Sequence, residues 1–215
     1  MSELTKVYDD TDDDFVVVDA RDYLKPPPGR FYNRIPGRKI SQVIYHHTAG
    51  NWRSPPSGME ASHRYIVNVK GWPKLPYHVY VPAKPIIWGS AEGGGEWHDN
   101  RFTIYLVNDF DDLTWHVGRG GNRHGIGVVF QGFFLTHDTA PSVERGLAVR
   151  HPFPAQQYLA PRVWRWLRRA VTQRQGTPPV LKGHNDYGKA RCPGWWLSQF
   201  IAAEGRGEVW PPVEG

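Results

Sequence analysis

Cysteine is nearly absent from this chain, and the single residue, Cys192, excludes a fold held together by internal disulfide bonds. The chain also has no run of about 18 consecutive apolar residues, which a membrane-spanning helix would need. The first fourteen residues are polar and acidic, so the apolar segment of a secretory signal peptide is missing, and a solvated, frayed tail is expected there. The sequence therefore predicts a protein with no stable membrane insertion.

The composition is that of a globular protein with many loops. Of the 215 residues, 40% are hydrophobic and 22% are charged, which suffices for one domain with a sizeable core. The 23 glycines and 19 prolines predict that much of the chain is loop. A formal charge of +5 and ten tryptophans together favour a polymeric, partly anionic ligand, such as a glycan or a nucleic acid.

The hydrophobic pattern predicts one sheet with helices packed on it. Six short apolar or alternating segments are predicted as strands: 15–18, 40–45, 75–81, 85–88, 103–107 and 125–134. A short helix is expected at 59–67, and the clearest helix at 155–175, where apolar residues recur every three to four positions. Pro161 is tolerated only in a first turn, so the long helix is expected to begin later than Ala155. This mixture predicts an α/β fold, with a single mixed central β-sheet flanked by helices.

The chain is expected to divide near residue 39. The sequence PPPG at 26–29 ends the first predicted strand and acts as a stiff linker. Residues 1–38 are therefore interpreted as an N-terminal extension, residues 39–202 as the catalytic domain, and residues 203–215 as a C-terminal tail. The aspartates between positions 9 and 14 could bind calcium, but such a run is more typical of a solvated tail.

Residue types that bind metals concentrate in two places. His46 and His47 end an apolar segment, and His184 begins the polar segment HNDYGKARCPG, which contains Cys192. Imidazole and thiolate ligands together favour zinc among the common ions. Two histidines and one cysteine would leave a fourth position for water, which is the pattern of a catalytic zinc site. The alternative interpretation is that His184 caps a loop and Cys192 is a small buried apolar residue.

Five segments in a fixed order resemble a known enzyme family: VIYHHTAG, LPYHVYV, TWHVGRGGNRHGIGVVFQG, PAQ at the start of the long helix, and HNDYGKARCPG. They are similar to segments of the zinc-dependent N-acetylmuramoyl-L-alanine amidases of type 2. That family includes the T7-type phage lysozymes and the peptidoglycan recognition proteins. The resemblance covers roughly residues 40–201, and it implies the amidase-like fold of that family and a Zn²⁺ cofactor.

The resemblance implies roles for individual residues when the family motifs are carried over position by position. The implied zinc ligands are His46, His184 and Cys192. Tyr77 is implied to lie beside the zinc-activated water and to assist proton transfer, and the alternative is a core tyrosine on an alternating strand. Other branches of the family use a glutamate for this task, but Val129 stands at that position here. The missing glutamate makes Tyr77 the favoured assistant.

The chain departs from the family pattern two residues before the last ligand. Family members often carry lysine or threonine there to stabilise the oxyanion, whereas this chain has Ala190. Lys189 and Arg191 flank the alanine, and a neighbouring cation could reach the developing oxyanion if the loop is shifted. We assign this role to Lys189, with Arg191 left open as the alternative.

Four further polar residues lie in these motifs without a role as a zinc ligand. His47 follows a ligand directly on a strand, so its side chain is expected on the opposite face, in packing or in a hydrogen bond. His78, His116 and Asn122 lie in family motifs that border the substrate groove. For these three residues, substrate contact and a buried, hydrogen-bonded role both stay open.

The resemblance implies hydrolysis of the amide between N-acetylmuramic acid and L-alanine, with peptidoglycan as the partner. A monomer is expected. Because no signal peptide is visible, the first hypothesis is a phage or prophage endolysin that stays in the host cytoplasm until lysis and then acts on the cell wall. The alternative with the same chemistry is a cytosolic amidase that recycles muropeptides. A net charge of +5 would favour binding to an anionic cell wall.

Three alternatives come from other functional classes. A non-catalytic peptidoglycan-recognition module would keep the fold, and Ala190 favours it, whereas the retained Cys192 opposes it. A cysteine hydrolase would use Cys192 as the nucleophile and His184 as the base, without a metal. A nucleic-acid-binding protein is disfavoured, because the basic residues form no recognised module, and no nucleic-acid partner is expected.

Overall fold

The computed structural model describes residues 5–10, 15–48, 57–83, 87–88, 101–132, 134 and 152–210. In this part of the chain, strands β1 to β8 lie at Thr5–Asp10, Phe15–Asp19, Gln42–His47, Val79–Val81, Ile87–Trp88, Arg101–Leu106, Gly125–Phe130 and Val180–Gly183. Helices α1 to α4 lie at Ser57–Asn68, Arg119–His124, Pro154–Gln175 and Trp195–Gly205. A short 3-10 turn, His184–Tyr187, follows β8 directly.

The strands form one mixed sheet. Their order across it is β1-β2-β6-β4-β7-β3-β8, and β5 pairs with the N-terminal end of β6. β4, β7, β3 and β8 are mutually parallel neighbours, whereas β4 is antiparallel to β6. This sheet with its flanking helices confirms the predicted α/β fold class. Because β3 and β8 are adjacent and parallel, the residues at their C-terminal ends meet at one edge of the sheet.

Alternation along the strands gives the sheet a buried core on each face. One face packs against α3 and α4, and its core includes Val43, Tyr45, Val128, Phe130, Leu159, Val163, Leu167, Leu197 and Phe200. The other face packs against α1, and its core includes Val16, Val18, Met59, Leu75, Tyr80, Tyr105, Val107 and Val129. His46 follows Tyr45 on β3, so it lies on the face opposite α3 and α4.

Helix α3 begins earlier than the sequence analysis predicted. It starts at Pro154 and runs through Pro161 without a break, so the expected late start was wrong. A proline inside a helix removes one backbone hydrogen bond and costs about 3 kcal/mol. The helix retains its course because its apolar side, including Leu159, Val163 and Leu167, is buried on the sheet. The Gln156 side chain also accepts the backbone N–H of Phe153 at the N-terminus.

The N-terminal segment takes part in the sheet, and the expectation of a frayed tail was wrong for residues 5–10. β1 pairs antiparallel with β2, and β2 pairs in parallel with β6. Backbone hydrogen bonds do not depend on side-chain polarity, so the polar residues of β1 can cover the edge of the buried strand β2. Residues 15–19, part of the expected extension, thus belong to the same sheet as the strands that follow residue 39. The proposed division near residue 39 stays a prediction.

Several sequence predictions differ from the structure in extent. The strand expected at 75–81 is shortened to Val79–Val81, and α2 and α4 were not predicted. The apolar residues of α4 are not confined to one side of the helix, which removes the periodic signal. Predictions for residues 1–4, 11–14, 85, 86, 133 and 211–215 lie outside the described residues. None of the described helices has the length and apolar character that crossing a membrane requires.

Candidate metal centre

Three side chains with metal-binding atoms converge at the C-terminal ends of β3 and β8. His46 is the fifth residue of the six-residue strand β3, His184 follows β8 directly, and Cys192 lies eight residues further along the same loop. One ligand atom from each residue lies within 4.8 Å of the others. His46 Nδ1 is 4.0 Å from Cys192 Sγ, and the His46 and His184 ring centroids are 4.5 Å apart.

The spacing and chemistry of these three groups fit a zinc ion. Tetrahedral zinc with bonds of about 2.0–2.3 Å holds its nitrogen and sulfur ligands about 3.5 Å apart. The observed separation of 4.0 Å between His46 and Cys192 needs only a small inward adjustment to reach that value. Imidazole and thiolate are also the donors that zinc prefers. Three protein ligands would leave one position open.

The loop that carries Cys192 is held by its own hydrogen bonds. The backbone N–H of Cys192 donates to the carbonyl of Lys189, at 2.8 Å. At the start of the loop, the N–H of Gly183 donates to a carboxylate oxygen of Asp186, at 3.0 Å. Gly188 has φ of +82°, a left-handed conformation that favours glycine. These contacts turn the chain back so that Cys192 lies beside His184.

The His47 side chain is not part of the group of three candidate ligands, as the strand geometry predicted. Its ring centroid is 5.9 Å from that of Phe134. Its backbone N–H, however, donates to Cys192 Sγ at 3.4 Å. The prediction of packing or hydrogen bonding for His47 is therefore confirmed, and its amide adds a donor that would stabilise a thiolate.

Burial keeps both candidate histidine ligands neutral. It lowers the pKa of His46 well below the ordinary value, and the nearby His116 and His184 add to this effect. It also lowers the pKa of His184 to about 4, with a further contribution from the charge of Lys189. The neutral imidazole is the form that binds metals. Both side chains are therefore ready to act as ligands at neutral pH.

The Cys192 thiol is not activated by its protein surroundings. Burial raises its pKa to about 12, although the hydrogen bond from the His47 amide partly opposes this effect. Cysteine nucleophiles instead have a pKa below the ordinary value, lowered by a neighbouring base or cation. Without a metal cation beside it, Cys192 is therefore protonated at neutral pH. Burial of the thiol therefore opposes the cysteine-hydrolase alternative.

The buried histidines predict a loss of stability in acid. Burial lowers the pKa of His47 to about 4 and that of His116 to about 3. The same groups in the unfolded chain titrate near about 6.5, so the unfolded state binds more protons between these values. The free energy of unfolding is thus highest above about pH 6.5 and falls as the pH is lowered towards 4, by about 2 kcal/mol at pH 5 from His47 alone.

The measurement is urea unfolding of the metal-free protein at about pH 7.5 and about pH 5. A His47→Gln variant is the matched control, because it should lose the part of the pH dependence that His47 contributes. Equal unfolding free energies of the unmodified protein at the two pH values would contradict the prediction.

Tyr77 lies beside the candidate ligands, as the sequence hypothesis requires. Its ring centroid is 5.1 Å from that of His46. Burial raises its pKa above the ordinary value, and the charge of Cys192 adds to this effect, so the phenol is protonated at neutral pH. The Asn108 side chain donates to the Leu75 carbonyl at 2.7 Å and also to the Tyr77 carbonyl. Asn108 thus positions the segment that carries Tyr77, a role that no sequence signal indicated.

The two cations of the ligand loop are exposed. Lys189 and Arg191 both face solvent, as does Ala190 between them. The charge of Lys189 also lowers the pKa of His184. Val129, at the position of the glutamate found in other branches, pairs in register with His46 and is fully buried. This neighbouring position therefore supplies no carboxylate.

The other motif residues have buried or structural contacts. His116 Nδ1 is 3.0 Å from His46 Nε2, and His78 Nδ1 accepts the N–H of Gly127 at 3.0 Å. His78 and His116 are 0% and 5% exposed, so the buried, hydrogen-bonded role describes them. Asn122 Oδ1 accepts the N–H of Val117, at 2.8 Å.

Arg38 is a buried residue near the site that the sequence analysis missed. Its guanidinium group donates to the carbonyls of Asn122 and Gly125, at 2.9 and 3.1 Å, and approaches His78 Nε2 to 2.9 Å. Burial lowers its pKa to about 10. A single arginine next to the predicted domain boundary carries no sequence signal of burial, so only the tertiary structure reveals it.

A comparison with known protein families gives a match that includes this candidate metal centre. The profile of a protein family described as N-acetylmuramoyl-L-alanine amidase matches residues 36–195. A search of curated protein sequences found no match. The family match spans most of the chain and includes all three candidate ligands.

Solved structures with the same fold include an amidase, a phage endolysin and a peptidoglycan recognition protein. The N-acetylmuramoyl-L-alanine amidase LysC from Clostridium intestinale URNW has a TM-score of 0.54 and 20% identity, over 88% of this chain and 97% of that one. The Ph2119 endolysin from the Thermus scotoductus MAT2119 bacteriophage Ph2119 has a TM-score of 0.54 and 18% identity, over 88% and 98%. Peptidoglycan recognition protein-LE, in complex with tracheal cytotoxin, has a TM-score of 0.61 and 17% identity, over 92% and 97%. At these identities the likeness establishes the fold.

Proposed function

The chain belongs to the N-acetylmuramoyl-L-alanine amidase family and has the function of a peptidoglycan amidase, and on this premise we propose that its activity depends on zinc held by His46, His184 and Cys192. The observation that carries the proposal is the convergence of these three ligand atoms within 4.8 Å at one edge of the sheet. The bond cleaved is the amide between N-acetylmuramic acid and L-alanine, and peptidoglycan is the substrate.

The three side chains have the protonation states that zinc binding requires, or reach them when the ion binds. A zinc ion held there would lower the pKa of a water molecule and polarise the carbonyl of the scissile amide. His46 and His184 bind as the neutral imidazoles that burial maintains. Cys192 binds as a thiolate and releases its proton on binding. The His47 amide, at 3.4 Å from the sulfur, stabilises that negative charge.

Tyr77 and Lys189 act on the substrate in this proposal. The Tyr77 phenol, protonated at neutral pH, donates a hydrogen bond to the developing oxyanion and takes part in proton transfer to the leaving nitrogen. Val129, buried beside His46, supplies no carboxylate at the position where other branches of the family carry one. Lys189 supports the oxyanion from the exposed rim of the site. Arg191 is the alternative cation, because it is exposed in the same loop.

The biological setting that we propose is a phage or prophage endolysin, acting as a monomer. Two of the structural relatives carry the names amidase and phage endolysin, and a third is bound to a monomeric peptidoglycan fragment. The net charge of +5 would favour adsorption to an anionic cell wall. Such a protein would stay in the host cytoplasm until lysis. A muropeptide-recycling amidase is the second candidate, and it would prefer small muropeptides to intact sacculi.

The test is turbidity loss of outer-membrane-stripped sacculi with the purified full chain. We expect lysis that a chelator abolishes and that added zinc restores. The reason is that zinc bound by the three ligands would lower the pKa of the attacking water. Products should carry a newly freed L-alanine amino group and no new reducing sugar end. Lysis that persists in a chelator would contradict zinc dependence.

The same assay separates the remaining alternatives. A zinc-loaded protein that sediments with sacculi but releases no alanine amino groups would be a binding module. A protein that cleaves soluble muropeptides much faster than sacculi would be a recycling enzyme. Activity that survives the chelator but is lost on thiol alkylation would favour a cysteine hydrolase.

A further inference from the structure

We propose that His116 is a positioning residue for His46, which it holds in the one tautomer that can bind a metal through Nδ1. This inference rests on the proposed function, because it takes His46 to be a zinc ligand. It concerns two consecutive hydrogen bonds next to the candidate centre. One joins His46 to His116, and the other joins His116 to the Gly125 carbonyl.

The proton positions follow from the carbonyl at the end of the chain. His116 Nε2 lies 3.4 Å from the Gly125 carbonyl oxygen. A carbonyl oxygen can only accept, so Nε2 carries the hydrogen. A neutral imidazole has one protonated nitrogen, and Nδ1 of His116 is therefore an acceptor.

The same logic extends to the candidate ligand. His116 Nδ1 is 3.0 Å from His46 Nε2, so Nε2 of His46 must be the donor. His46 then carries its lone pair on Nδ1. That atom is the one that faces Cys192 Sγ, at 4.0 Å. The chain of two hydrogen bonds thus presents an unprotonated nitrogen to the metal position and a protonated nitrogen to the protein.

The surroundings of His116 fix its ring in this orientation. A side chain at position 127 would place its Cβ 2.8 Å from His116 Cγ, so glycine there makes room for the ring. Gly125 approaches the ring edge in the same way, with a built Cβ at 3.3 Å from Cε1. Arg38 donates to the same Gly125 carbonyl at 3.1 Å, which anchors the acceptor.

Burial makes His116 difficult to replace with water. His46 is 0% exposed and His116 is 5% exposed, so bulk solvent does not reach the contact between them. An unpaired His46 Nε2–H would lose its hydrogen bond inside the protein. Supporting partners of this kind orient metal-ligating histidines, and their loss costs about 10–100-fold in metal affinity.

The experiment compares His116→Asn with His116→Leu in the full chain. The asparagine Oδ1 can occupy nearly the position of Nδ1 and can accept from His46, whereas leucine has a similar size and no acceptor. The zinc Kd is measured by competition with a fluorescent chelator. We expect His116→Leu to bind zinc about 10–100-fold more weakly, and His116→Asn to recover most of that loss.

A second readout uses the metal-free protein. Nitrogen-15 NMR reports the tautomer of each histidine, and a His46→Gln variant assigns the His46 signals. We expect the Nε2–H tautomer for His46 in the unmodified protein and in His116→Asn, and a mixture of tautomers in His116→Leu. Thermal unfolding of the metal-free variants separates this effect from a general loss of stability.

Several results would overturn the inference. These are an Nδ1–H tautomer of His46 in the unmodified protein, wild-type zinc affinity in a folded His116→Leu variant, and equal losses of affinity in the two variants. If the leucine variant does not fold, the tautomer of His46 in the unmodified protein still tests the inference. If the unmodified protein binds no zinc, the proposed function fails, whereas the tautomer measurement tests the His46–His116 contact separately.

Discussion

Replacing Cys192 with serine is expected to remove most of the bound zinc and to abolish measurable lysis of sacculi. Serine keeps the size of the side chain, but its hydroxyl does not ionise near neutral pH and is a poor zinc ligand compared with a thiolate. The loss of a direct ligand should exceed the about 100-fold loss of affinity that removal of a supporting residue can cause. Zinc content by elemental analysis and turbidity loss of sacculi are the two measurements.

Cys192→Asp is the matched variant for this experiment. A carboxylate oxygen also binds zinc, so the aspartate variant should retain part of the metal and part of the lysis. A cysteine nucleophile would instead be lost in both variants, which makes the comparison decisive between the two chemistries. Full lysis by a metal-free Cys192→Ser variant would refute the zinc proposal.

Replacing Tyr77 with phenylalanine is expected to lower kcat by about 10²- to 10⁴-fold, the usual range for loss of a general acid–base group. The ring lies 5.1 Å from that of His46, and phenylalanine preserves this contact while removing only the hydroxyl. Zinc affinity should therefore stay unchanged. Initial rates on a soluble muropeptide, together with the zinc Kd, separate the loss of catalysis from the loss of metal.

Two other variants calibrate the effect of Tyr77→Phe. Tyr65→Phe changes a tyrosine on α1 that is 51% exposed, and its rate should equal that of the unmodified protein. Lys189→Ala should lower kcat less than Tyr77→Phe does, because Lys189 is exposed and solvent screens its charge. A kcat of Tyr77→Phe within experimental error of the unmodified enzyme would return Tyr77 to the role of a packing residue.

The sequence by itself determined the elements that have a clear local pattern. The continuous apolar run of β7 and the three-to-four-residue repeat of α3 are visible in consecutive residues, so both were predicted in nearly the right place. The resemblance of the ordered motifs to a known family also implied which residues are the candidate ligands. The structure brings His46, His184 and Cys192 together even though 146 positions separate His46 from Cys192.

Only the tertiary structure decided the partners that surround those residues. The His46–His116 contact joins positions 70 apart, and the Arg38–Gly125 contact joins positions 87 apart. These pairs depend on the position of β7 between β4 and β3 and on the register that sets Val129 opposite His46. Likewise, the pairing of β1 with β2 and the passage of α3 through Pro161 reflect backbone pairing and packing that outweigh local preference. Local patterns specify which residues prefer strand or helix, whereas hydrogen bonds between distant residues exist only once the sheet order has placed them side by side.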